Sequence, residues 1–124
     1  MIDFILSFSE RVGFSKKERN EIHLASEEIL MNIISYAYPE ESVQGEVLIR
    51  CTCLPGKSGI RVEFIDSGVP FNPLHSPEPD ITLPMEKRQI GGLGLFLVEN
   101  VMDSIEYKRT SKNNHLIIEK RARG

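Results

Sequence analysis

Two stretches near the start of the chain carry apolar residues at helical spacing. In residues 2–12 the apolar positions recur every three or four residues, and Gly13 is a suitable end for this first helix. Ser15-Lys16-Lys17-Glu18 has the Ser-x-x-Glu form of a capping box, which predicts a second helix that runs to Ala37 and ends before Pro39. The predicted buried stripe of the second helix consists of Ile22, Ala25, Ile29, Ile33 and Ala37.

Four later stretches are typical of β-strands. The first two are rich in β-branched residues and are joined by the turn residues 55–58, and the last two meet across residues 112–114, so we predict two hairpins. The predicted strands are Gly45–Leu54, Gly59–Ile65, Ser104–Thr110 and His115–Lys120.

A proline-rich segment separates the two hairpins. Five of the seven prolines lie between Pro70 and Pro84, and a long loop of this kind inside one domain is usually a lid or a disordered segment. We place the lid at about residues 72–90, and a helix from Gly94 to about Asp103 follows it. The order of elements predicts a single domain over residues 1–124, an α/β two-layer sandwich with helices on one face of a mainly antiparallel mixed sheet.

The composition fits a soluble globular domain. Of 124 residues, 40% are hydrophobic and 27% charged, and the net charge of -3 argues against a nucleic-acid-binding face. No apolar run approaches the roughly 18 residues of a membrane span, and Ile2–Leu6 lacks the basic lead of a secretory signal. We therefore expect a cytoplasmic protein without membrane or direct nucleic-acid partners. Lys120, Arg121 and Arg123 are expected to form a solvated basic tail.

The two cysteines, Cys51 and Cys53, would share one face of a strand, where two thiols could hold a metal ion. There is no further cysteine, and His75 and His115 lie far away in the sequence. We predict two reduced core thiols instead. The histidines at 75 and 115, together with His23, are expected to be ordinary surface residues.

Two sets of polar residues allow both a structural and a functional interpretation. Glu28 and Asn32 are four residues apart and share one helix face at the edge of the predicted core, where an acid and an amide are commonly a solvated flank. Asp66 and Gly68 follow the second strand. They form either an ordinary turn with Gly68 at positive φ, or a rigidly held carboxylate that accepts a hydrogen bond from a flat ligand.

Three glycines precede the predicted third helix in the segment IGGLGLFLVENVMD, residues 90–103. Glycine in a helix costs about 1 kcal/mol relative to alanine, so the cluster indicates either a tight turn or backbone N–H groups that approach an anion at a helix N-terminus. The chain has no G-x-x-x-x-G-K-[ST] motif, and no strand immediately precedes Gly92-x-Gly94. These observations argue against a P-loop and against a dinucleotide fingerprint.

Three motifs, in this order and spacing, resemble those of the Bergerat-fold ATP-binding proteins, the superfamily of gyrase, histidine kinases and MutL. EEILMNIISYAY resembles the N box, DSGVPF the G1 box and GGLGLFLVENVMD the G2 box. The short lid and the form of the last motif resemble the anti-sigma-factor serine/threonine kinases of the RsbW and SpoIIAB type. The resemblance covers the chain from about Lys16 to the C-terminus.

The resemblance implies ATP and Mg²⁺ as cofactors. Asn32 would hold Mg²⁺ between the phosphates, Asp66 would accept a hydrogen bond from the adenine amino group, and Gly68 would let the base approach. Glu28 would orient and deprotonate the nucleophile. Arg88, in the lid, either contacts the terminal phosphate or is merely exposed. The backbone N–H groups expected to face the phosphates belong to Gly91, Gly92, Leu93, Gly94 and Leu95.

The implied activity is phosphorylation of a serine or threonine on a STAS-domain anti-anti-sigma partner, coupled to sequestration of an RNA polymerase sigma factor. A homodimer is a further candidate assembly. The alternative is a non-catalytic module that distinguishes ATP from ADP. It would make every nucleotide contact of the kinase and differ only in whether Glu28 acts as a base. A water-directed ATPase of the gyrase type is disfavoured, because that branch needs a longer lid and a transducer domain.

The chain departs from the family pattern at two places. Family members usually have a β-strand ahead of the first helix; we expect this strand to be absent or truncated, which weakens the prediction of the usual dimer. In the last hairpin, Asn114 and His115 stand where many relatives carry a threonine near the adenine. The contact made there is expected to differ.

Overall fold

The computed structural model describes residues 2–34, 46–70 and 97–122. The predicted end of the second helix at Ala37, the lid and the glycine-rich segment lie outside these ranges. None of the helices within them is long and apolar enough to cross a membrane.

The helices are α1 (Ile2–Glu10) and α2 (Lys16–Asn32), and residues 97–101 are also helical. The strands are β1 (Val47–Cys53), β2 (Gly59–Asp66), β3 (Ser104–Arg109) and β4 (Asn114–Arg121).

The capping box predicted before α2 is confirmed. The Ser15 hydroxyl accepts a hydrogen bond from the Glu18 backbone N–H at 3.1 Å, and the Glu18 carboxylate accepts one from the Ser15 backbone N–H at 2.8 Å. The side chains thereby satisfy two backbone donors that would lack partners at the start of the helix. Gly13 has a φ of 81°, a left-handed conformation that glycine adopts readily, in the turn between α1 and α2.

The four strands form one sheet in the order β1-β2-β4-β3. Both predicted hairpins are confirmed, because β1 pairs with β2 and β3 pairs with β4. The central pair, β2 and β4, joins the two hairpins. Every neighbouring pair in the described sheet is antiparallel.

The core lies between the helices and one face of the sheet. Alternate residues of β2 and β4 point to this face, and Val62 lies opposite Ile118 just as Phe64 lies opposite Leu116. Burial of such apolar side chains on one sheet face is the main stabilising contribution of this architecture. The predicted two-layer sandwich is confirmed. The helical residues in the same buried cluster include Ile5, Ile22, Ala25 and Ile29.

Lys120 is buried, so the prediction of a solvated tail is wrong for this residue. Only 4% of its surface is exposed, and its ammonium group donates to the backbone carbonyl of Val101 and lies 3.5 Å from a carboxylate oxygen of Glu21. The alternation along β4 places residue 120 on the helix-covered face. The charge is tolerated there because a helix carbonyl and a carboxylate both face it.

Both cysteines lie on β1 as free thiols. Cys51 is half-buried and packs against the core. Cys53 is exposed, so the prediction of a core thiol is wrong at that position: it lies at the end of an edge strand, where the helical layer does not cover it. In the ranges that the structure describes, no group of three or more His, Cys, Asp or Glu residues could hold a metal ion.

The two thiols are expected to differ in reactivity. Burial raises the pKa of the Cys51 thiol to about 11, and only the thiolate attacks a thiol reagent. At neutral pH Cys53 should be labelled first. The labelling rate of Cys51 should rise about tenfold per pH unit between pH 7 and 9, because the thiolate fraction rises in that proportion below the pKa. Mass spectrometry of the Cys51→Ser and Cys53→Ser variants measures each rate separately, and equal rates at neutral pH would contradict the assignment.

Candidate functional site

Glu28 and Asn32 lie one turn apart near the end of α2. The buried positions of this helix are Ile22, Ala25, Ser26, Ile29 and Asn32. Asn32 is therefore part of the buried face, with 3% of its surface exposed, whereas Glu28 is half-buried at its flank. The pair does not lie on a fully solvated flank of the helix.

The side-chain amide of Asn32 is held in one orientation. Its Nδ2 donates to the backbone carbonyl of Glu28 at 2.7 Å. Its Oδ1 is buried and has no hydrogen-bond donor within the described part of the chain. A buried polar atom without a partner is costly and uncommon in folded proteins. The oxygen therefore keeps an unused acceptor capacity, and an amide oxygen is a suitable ligand for a hard cation such as Mg²⁺.

Asp66 lies at the end of β2 and begins a turn. It is 4% exposed, and its Oδ1 accepts hydrogen bonds from the backbone N–H of Gly68 at 3.0 Å and from the Asn114 amide at 2.9 Å. The predicted Asp-initiated turn is present, and the same contacts hold the carboxylate rigidly. Among glycines in the described ranges, positive φ occurs only at Gly13 and Gly56. The expectation of a positive φ at Gly68 is wrong, because the Asp66 carboxylate bonds to the Gly68 N–H without it.

Two residues of the β3–β4 hairpin contact this turn and a third bonds to one of them, and the sequence did not identify the three as a group. Asn114 donates to the Val69 carbonyl at 2.8 Å as well as to Asp66. The Tyr107 hydroxyl donates to the Asn114 side-chain oxygen at 2.6 Å, and Arg109 donates to the Gly68 carbonyl at 3.0 Å. We call Tyr107, Arg109 and Asn114 the hairpin brace. The only sequence signal for the hairpin brace was that Asn114 and His115 stand where many relatives carry a threonine. The contact of Arg109 with Gly68 gave no local signal, because these residues lie 41 positions apart.

His115 lies on the opposite face of the sheet and is not an ordinary surface residue, which corrects the prediction. Its Nδ1 is 2.8 Å from a carboxylate oxygen of Glu63, which is itself 8% exposed. Arg50, on the neighbouring strand, lies 3.4 Å from the other oxygen of Glu63. These residues alternate with the core positions of their strands, so they face away from the helices and from the Asp66 turn. His23 forms an exposed pair with Glu27 at 2.8 Å.

The structure thus assembles two groups of predicted site residues on elements that share one core. One group is Glu28 with Asn32 on α2, and the other is Asp66 with Gly68 at the end of β2. The remaining predicted contacts, Arg88 and Gly91–Leu95, lie outside the described residues and stay predictions.

The structure thus combines an antiparallel sheet covered by helices on one face with a buried carboxylate at the end of β2 and a buried amide oxygen on α2. Residues 1–120 match the model of the histidine kinase-like ATPase domain. The chain belongs to this family. Membership in a family of ATPase domains implies that the domain binds ATP.

Several relatives have been named serine-protein kinase RsbW. The chain is 29% identical over 102 residues to the protein of that name from Listeria monocytogenes serovar 1/2a, covering 79% of this chain and 63% of the relative. It is 33% identical over 102 residues to the RsbW proteins of Bacillus mycoides and Bacillus anthracis, covering 79% of this chain and 61% of each relative. The chain thus spans less than two thirds of the length of these relatives.

Proposed function

We propose that the protein is a Mg²⁺-dependent serine/threonine kinase that phosphorylates a STAS-domain anti-anti-sigma partner and sequesters a sigma factor. The observation that carries this proposal is the pair on α2. Asn32 has an oriented, buried oxygen of the kind that suits a hard cation, and one turn earlier Glu28 is half-buried. The name serine-protein kinase borne by the relatives supports the same reaction class.

The roles of the residues follow from the chemistry of phosphoryl transfer. Asn32 would hold Mg²⁺, which when bound neutralises charge on the phosphates. Glu28 accepts the proton of the substrate hydroxyl while the hydroxyl oxygen forms a bond to the γ-phosphorus. The bond between that phosphorus and the β–γ bridging oxygen breaks, and ADP leaves. Asp66 accepts a hydrogen bond from the adenine amino group and so positions the nucleotide.

Switching between partners follows from the same site. Transfer of phosphate to the STAS partner adds about -1.5 to -2 charge to its surface and releases it. The freed protein then binds sigma, so the state of the STAS partner decides whether sigma is sequestered.

A direct assay tests this proposal. The purified chain, Mg²⁺ and γ-labelled ATP are mixed with STAS-domain proteins from the same genome, and the affinities for ATP and ADP are measured in parallel. We expect label on a serine or threonine of one STAS protein. Tight nucleotide binding without transfer to any of them would contradict the kinase proposal and favour a module that senses ATP against ADP. Absence of nucleotide binding would overturn the proposal altogether.

A further inference from the structure

The amide of Asn114 can adopt only one orientation in this structure. Its two neighbours on one side, the Asp66 carboxylate and the Val69 carbonyl, are hydrogen-bond acceptors, so the nitrogen with its two hydrogens must face them. On the other side the Tyr107 hydroxyl donates to the amide oxygen. A flipped amide would place an oxygen against two acceptors. The two acceptors therefore set the orientation of the amide, and the hydrogen bond from Tyr107 to the amide oxygen restrains Asn114 in that orientation, as a donor toward Asp66.

Both hydrogens of Asn114 are used on the protein and none remains for a base. Asn114 is 4% exposed, and its hydrogens bind Asp66 at 2.9 Å and Val69 at 2.8 Å. A contribution of this residue to nucleotide recognition must then pass through Asp66. Asn114 is thus a positioning residue for that carboxylate.

The contacts to Asp66 also determine which of its oxygens can meet a ligand. The N–H of Gly68 and the amide of Asn114 both donate to Oδ1. Two donors on one oxygen resist rotation of the carboxylate group, and Arg109 restrains the same turn through the Gly68 carbonyl. Within the part of the chain that the structure describes, both of these donors bind Oδ1, which leaves Oδ2 as the acceptor that can meet a ligand.

A fixed acceptor distinguishes purines by the group at position 6. It can bind the amino group of adenine, but against a 6-keto purine it would face another acceptor, and a site built for one hydrogen bond strongly rejects an analogue that cannot make it. A carboxylate free to rotate could turn toward the ring N–H of the 6-keto purine and bind both bases. Rigidity of Asp66 therefore decides the selectivity.

We propose that Asn114, oriented by Tyr107, sets the preference of this site for 6-amino over 6-keto purine nucleotides by immobilising Asp66. This inference rests on the proposed nucleotide site and concerns its base selectivity, a property separate from phosphoryl transfer. The hairpin brace reaches the site from β3 and β4, whereas Glu28 and Asn32 reach it from α2.

The test compares the affinities of the full chain for ATP and ITP, which differ at position 6, with Mg²⁺ and without any protein partner. In Asn114→Ala the ATP affinity should fall about tenfold, as expected on loss of a hydrogen bond to a charged group. The ITP affinity should change less than about threefold, so the ratio of the two affinities should fall. Tyr107→Phe, which removes only the hydroxyl, should also lower the ratio of ATP affinity to ITP affinity, but by less than Asn114→Ala does. Lys112→Ala, at an exposed residue in the turn of the same hairpin, is the control and should leave the ratio unchanged.

Loss of folding alone would lower both affinities alike and would not move their ratio. If Asn114→Ala does not fold, as judged by thermal unfolding, the Tyr107→Phe variant decides the matter. A folded variant of either kind that keeps the wild-type ratio overturns the role of Asn114 while leaving the proposed kinase function intact. A wild-type protein that binds neither nucleotide overturns the proposed function as well.

Discussion

Replacement of Glu28 by alanine is expected to lower the rate of phosphoryl transfer to the STAS partner by about 10²–10⁴-fold, the usual contribution of a general base. ATP affinity should stay within about twofold of the wild-type value, because Glu28 acts on the nucleophile and not on the nucleotide. The measurements are single-turnover transfer of γ-labelled phosphate and, separately, the equilibrium affinity for ATP.

The neighbouring glutamate offers a matched control for this variant. Glu27 is exposed and pairs with His23, so Glu27→Ala removes the same side chain from the same helix without touching the proposed site. It should transfer phosphate at the wild-type rate. If Glu28→Ala transferred at that rate too, the assignment of Glu28 as the base would be wrong.

Replacement of Asn32 by alanine is expected to abolish the increase in ATP affinity that Mg²⁺ produces. The variant removes the buried oxygen that would bind the cation, together with the hydrogen bond from Nδ2 to the Glu28 carbonyl. Titration of ATP with and without Mg²⁺ gives the Mg²⁺-dependent part of the affinity. That part should be lost, whereas binding in the absence of Mg²⁺ should change little.

Asn20 is the control residue here, because it is an exposed asparagine on the same helix. Asn20→Ala should retain the full effect of Mg²⁺ on ATP affinity. Thermal unfolding of Asn32→Ala establishes that the variant is folded. An unchanged Mg²⁺ dependence in folded Asn32→Ala would show that the cation is held elsewhere.

Local signals predicted most of the fold. The capping box of Ser15 and Glu18 acts within one turn, so it identified the start of α2 directly. Turn residues between short strands likewise identified both hairpins. The motif residues Glu28, Asn32 and Asp66 could be named because their spacing resembles that of a known family, although their roles remain proposals.

The sequence by itself determined the two helices and the two hairpins, because capping, periodicity and turn chemistry depend on residues close together in the chain. The candidate site residues came from motifs that resemble those of a known family. Only the tertiary structure decided that β2 pairs with β4. That pairing brings Asn114 against Asp66, His115 against Glu63 and residue 120 onto the covered face of the sheet, beside Glu21. The partners in these three contacts are separated in the sequence by 48, 52 and nearly 100 positions. No local pattern encodes such contacts, because they arise from strand order and register.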